Sequence, residues 1–227
     1  MSAGTFNVQG GAFSIASGNT TAYGFVVSGG TFSGGSAANT YGSLDASTGN
    51  TTPTSATATF NGHNGSNVAL LTNSTTTWAH NSGTATFTFA GAQYIADTNN
   101  TARTTFYNLT INNTHASPDD DNDVDSSAAV TVANTLTVTD GQFQPTTASD
   151  LAGVTIGTNG ILKPDASANI TVSGDWANSG TFTSNSGTVE IDGTGDISLN
   201  SGGTGATQDF DTLRVNKSSG TLFPIAL

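Results

Sequence analysis

The sequence predicts an all-β chain wound as a right-handed parallel β-helix, a β-solenoid of about 19 residues per coil. Three observations carry that expectation. No window shows the i, i+3, i+4, i+7 apolar spacing of an amphipathic helix. Short clusters of alternating β-branched or aromatic residues recur instead, each bounded by Gly, Asn, Ser or Asp. Those clusters also return at nearly constant intervals.

In chain order the strand signals fall at residues 5–8, 12–15, 24–27, 85–89, 136–138, 154–156, 170–172 and 189–191. Alternation sends one set of side chains inward and the other out. From Leu136 through Val154 and Ile170 to Val189 the numbering advances by 18, 16 and 19. A second series, Gly141-Gln142-Phe143, Gly160-Ile161-Leu162 and Gly180-Thr181-Phe182, advances by 19 and 20. Two series with one period read as two faces of one coil. The alternative, an antiparallel β-sandwich, would place turn signals roughly every 8–12 residues without that paired rhythm. At this period the chain would make roughly a dozen coils and a rod of about 55 Å.

A longer echo overlies the short one. Asn81-Ser82-Gly83-Thr84 returns as Asn185-Ser186-Gly187-Thr188, and Phe106-Tyr107-Asn108-Leu109-Thr110-Ile111-Asn112 as Phe210-Asp211-Thr212-Leu213-Arg214-Val215-Asn216. Both pairs share one offset, which predicts an internal duplication of 81–112 in 185–216 within a single solenoid spanning 1–227. Residues 36–67 and 114–128, rich in Ser, Thr, Asn and Asp and holding Pro53 and Pro118, break the rhythm and are expected as loops projecting from the coil.

Composition narrows the function. Only 9% of residues are charged, yet 34% are hydrophobic and regularly placed, which fits a folded chain rather than a disordered one. The formal net charge is −12 with four basic residues, Arg103, Lys163, Arg214 and Lys217. That leaves no cationic footprint for nucleic acid or an anionic membrane. Glu190 is the one glutamate; the other acids are Asp, a turn former. Cysteine is absent, which excludes disulfides, thiolate metal sites and thiol catalysis. No apolar run reaches the roughly 18 residues of a membrane span, so no membrane insertion is expected. Met1-Ser2-Ala3-Gly4 leads straight into strand-like sequence, so either a leader has been removed or the chain is part of something longer. The apolar stretch 220–227 reads as a coil stopped midway, inviting end-to-end stacking of copies.

Chemistry is sparse. In Asp119-Asp120-Asp121-Asn122-Asp123-Val124-Asp125, carboxylates at alternate positions (Asp119, Asp121, Asp123, Asp125) could converge on Ca²⁺. The EF-hand pattern fails, with Val124 where Gly belongs and Val130 at the twelfth position; the competing reading is a solvated acidic loop. No other cofactor is expected. His63, His80 and His115 are isolated. Neither Gly-x-Ser-x-Gly nor Gly-x-Gly-x-x-Gly occurs. Asp192 and Asp196 can be written as an acid pair, but turn aspartates account for them as well. Trp78, Trp176 and Tyr107 are candidates for stacking on sugars, against the plainer role of filling the core.

Residues 170–176 (ITVSGDW), 180–183 (GTFT), 187–191 (GTVEI) and 106–113 (FYNLTINN) resemble the repeats of very large bacterial surface and adhesin-like proteins. The resemblance covers about residues 68–222 and implies a parallel β-helix, secretion and a structural or adhesive role; it supplies no catalytic residues. The expected function is therefore that of an extracellular structural protein without enzymatic activity. It would serve as a subunit or stalk segment of a surface fibre, filament or matrix, joined end to end with its own copies. A carbohydrate-binding or adhesive β-helix displaying its loops to cell-surface glycans is the alternative, and a polysaccharide-degrading β-helix enzyme the third reading.

Overall fold

The computed structural model describes residues 5–7, 13–15, 24–98, 104–114, 123–203 and 205–226. Among them there is no helix. The first strands are β1 (Thr5–Asn7), β2 (Phe13–Ile15), β3 (Phe25–Ser33), β4 (Asn39–Tyr41), β5 (Leu44–Thr52), β6 (Thr57–Phe60) and β7 (Val68–Thr72). The middle holds β8 (Thr84–Phe87), β9 (Gln93–Asp97), β10 (Thr104–Asn112), β11 (Val124–Ser126), β12 (Val130–Pro145) and β13 (Ser149–Leu162). The last are β14 (Ile170–Val172), β15 (Trp176–Asn178), β16 (Thr181–Phe182), β17 (Thr188–Ile191), β18 (Ile197–Asn200), β19 (Thr212–Val215) and β20 (Leu222–Ala226).

Every pairing between these strands is parallel, and each joins a strand to its counterpart one turn on. The result is a β-solenoid of about 8 turns spaced about 23 residues apart. At about 4.8 Å per turn its body runs to about 40 Å. The pairings sort into three columns. One runs from β1 through the ends of β3 and β5 to Trp78, then through the starts of β10, β12 and β13 to β14, β17 and β19. At its weakest step the Trp78 indole N–H donates to the Thr105 carbonyl at 3.0 Å. The second column is β2, β4, β6, β8, β10, β12, β13, β15, β18, β20. The third joins β3, β5, β7, β9, β11, β12, β13 and β16.

Inward residues stack along each column. Tyr41, Phe60 and Phe87 occupy successive turns of the second column with near-parallel rings, 5.5 and 4.7 Å apart. In the first column Val132, Leu151, Val172 and Ile191 are all buried in register. Thr fills many outward positions, where a branched side chain suits the pleat.

The period expected from the sequence holds only locally. Leu136 pairs with Val154 and Ile170 with Val189 as expected, but the turn that carries Gln93 to Val124 is far longer. The expected step from Val154 to Ile170 mixes columns: Val154 pairs with Trp176, and Ile170 with Ser149. Parallel stacking fixes the strands and leaves corner length free, so turns of unequal length share one ladder. Gly141, Gly160 and Thr181 follow the expected series in the third column.

Residues 36–67 are not a projecting loop. They contain β4, β5 and β6, with Tyr41, Leu44 and Phe60 fully buried. Their alternation is masked because polar Asn39 and Thr51 also point inward: Asn39 donates from Nδ2 to the Gly34 carbonyl (2.9 Å). Of 114–128, residues 115–122 lie outside the described residues, and β11 is an ordinary rung between β9 and β12.

The two similar segments share local geometry. Asn81 and Ser82, like Asn185 and Ser186, take positive φ between 49° and 66°. Each Asn Nδ2 donates to a proline carbonyl of the preceding turn, Pro53 or Pro164, at 3.1 Å. Yet β8 stands in the second column and β17 in the first. The repeat therefore returns one face further round.

Candidate functional surfaces

Along the corner between the first and second columns, the outer surface of β12 to β17 sinks into a shallow trough. Its floor is small because Ala133, Ala152, Gly153, Ser173 and Gly174 follow one another at the corner. One end, of about 510 Å³, is flanked by Asp150, Glu190 and Asp192; the other, of about 480 Å³, by Asn134, Thr155 and Asp175. Glu190 is engaged by Arg214 (3.4 Å) and by the Asn216 side-chain amide (2.8 Å). Asp192 Oδ1 is buried and accepts no hydrogen bond. Asp175 Oδ1 accepts from the Ser198 N–H at 2.7 Å. This arrangement can hydrogen-bond hydroxyls or hold a cationic group. No aromatic side chain lines it.

The other sequence candidates lie elsewhere. Trp176 is 1% exposed, wedged edge-on against Phe182 (4.9 Å) and Phe210 (5.3 Å), so it is core and meets no sugar. Trp78 is half-buried against Phe106, and His80 lies over Tyr107 at 5.6 Å. His63 packs edge-on against Phe89, and His115 is outside the described residues. Asp196 accepts from the Thr221 N–H (2.8 Å), a contact with the next coil, while Asp192 lines the trough.

Asp119 and Asp121 are also outside the described residues. Asp123 is buried and Asp125 half-buried on either side of the inward Val124. Among the described residues no three His, Asp or Glu side chains group as metal ligands. Thermal melting with and without a chelator tests calcium directly. A transition lowered by the chelator assigns Asp119–Asp125 a Ca²⁺ site, and an unchanged one removes it.

Near the last turn, Asp211 Oδ2 accepts from the Ser184 hydroxyl and from the Ser186 N–H, both at 2.5 Å. The Ser184 bond first, then the Ser186 bond, holds this exposed carboxyl below its ordinary pKa. Its clamp is thus fully present above about pH 4 and is lost as pH falls through the lowered value. Hydrogen exchange at the Ser186 amide, normalised for intrinsic rate, should lose protection on acidification, and Asp211→Asn should flatten that dependence.

Sequence reasoning missed the trough. Its signal is a stack of small residues one turn apart, legible only once the turn lengths are known. Compared with known proteins, the chain matches no family model, no curated protein and no solved structure.

Proposed function

We propose that this chain is an extracellular structural element, a rigid rod segment of a surface fibre, filament or matrix, with no catalytic role. The observation that carries the reading is the parallel ladder, continuous through the second and third columns, in which nearly every strand is paired above and below while the first and last are paired on one side. Such a ladder resists bending and offers its ends for extension. The resemblance of residues 68–222 to repeats of large bacterial surface proteins supports the same role and a secreted location. Separation of the acid pair written from the sequence supports it too, since Asp192 lines the trough while Asp196 is engaged by the Thr221 N–H.

Electron microscopy of the purified protein across a concentration series tests the proposal. Filaments of constant width, lengthening with concentration, are the expected result. Closed particles of fixed size at every concentration would overturn it.

The trough favours a second reading, a carbohydrate-binding β-helix, because its hydroxyls and carboxylates suit a polar, extended ligand. Glycan-array binding weakened at least tenfold by Ser173→Trp, which fills the trough, would support that reading.

A further inference from the structure

We infer that copies of this chain join head to tail through a parallel β-seam, β1 of one copy extending the first column beyond β19 of the next; this rests on the structural reading above. Asn216 N–H donates to the Ile191 carbonyl at 2.8 Å. Alternation along a parallel strand then turns the N–H and C=O of Leu213 and Val215 away from β17, toward the open end. Val215 stacks on the fully buried Ile191, yet is itself 53% exposed, since among the described residues no strand stacks on its other side. Phe223 and Ile225 on β20 are 48% and 66% exposed. In the second column Pro224 supplies no N–H, so β19 carries the pairing.

The occupant that fits is a second copy. At the opposite end, β1 pairs with β3 alone among the described residues, and presents a parallel strand of the same column and direction. Charge agrees. Every charged side chain lies between Asp45 and Lys217; residues 1–44 and 218–227 carry none. The meeting faces add nothing to the mutual repulsion of chains of net charge −12: β1 has no charged residue, and the segment around β19 holds Asp209, Asp211, Arg214 and Lys217, two of each sign. Edges meant to stay unpaired are usually guarded by charge, and the β1 edge has none.

The chain has no cysteine, so engineered pairs report the seam cleanly. Thr5 and Asn7 are register partners of Thr31 and Ser33, which alternate with buried Phe32. Arg214 holds the equivalent outward position on β19, opposite Glu190. A parallel seam would bring the paired Cα atoms to about 4.8 Å, within disulfide range. Under mild oxidation Thr5→Cys/Arg214→Cys or Asn7→Cys/Arg214→Cys should give a covalent ladder of dimers, trimers and higher species, whereas each single-cysteine variant stops at dimer. Val215→Lys, at a position already half in water, should raise the concentration needed for filaments at least tenfold while leaving the circular dichroism spectrum unchanged. Filaments that form without cross-linking in either register, and that tolerate Val215→Lys, would overturn this seam and leave the fibre reading standing on another contact. The absence of filaments at any concentration would overturn both.

Discussion

Trp176→Ala should cost about 3–5 kcal/mol, the usual loss for deleting a large buried aromatic, measured by denaturant unfolding. The indole occupies a position that Leu136 and Val154 fill in the preceding turns and Leu199 in the next. It is wider than its column and reaches across the interior to Phe182 and Phe210, so it ties the second column to the third. Truncation leaves a void that the stiff ladder above and below cannot close. Trp176→Phe should cost much less. The indole N–H is buried without a hydrogen-bond partner. An unmet buried donor costs about 1–3 kcal/mol, which its removal returns against the lost contacts. Equal losses for the two substitutions would refute this account.

Gly180→Ala should be comparably damaging for the opposite reason, excess volume. A methyl at Gly180 would lie 2.1 Å from the Gly157 carbonyl oxygen and 2.4 Å from that of Gly160. Both obstacles are backbone on the neighbouring turn, so no side chain can swing aside. Overpacking typically costs about 1–3 kcal/mol, and a clash with two ladder carbonyls belongs at or above the top of that range. Gly195→Ala is the control, since its new methyl would meet nothing within 4 Å. A neutral Gly180→Ala would mean that successive turns are looser than this close approach implies.

These two sites also mark what can be read in advance. Gly180-Thr181-Phe182 is legible because glycine, an outward residue and an inward apolar one return at the corresponding place in successive turns, as with Gly160-Ile161-Leu162. Trp176 is harder to place. The turn that sets it beside Val154 is longer than the one before, and the sequence rhythm leads from Val154 to Ile170 instead. Residues 36–67 hide their strands for a related reason. Inward Asn39 satisfies its polar group within the coil's own neighbourhood, and hydrophobic patterning cannot register a polar residue that is content inside. The trough is hidden because its residues are distant in sequence and small.

The sequence by itself determined the local conformation: alternating branched residues make short strands, Gly and Asn make corners, and both compel an all-β chain whose strands repeat. Tertiary structure alone decided the number of columns, the length of each turn and which residues stand above one another. The reason is physical. Strand formation is settled within a few residues by sterics and alternation. Stacking is settled by hydrogen bonds between turns, and these accept corners of any length that bring the next strand back into line.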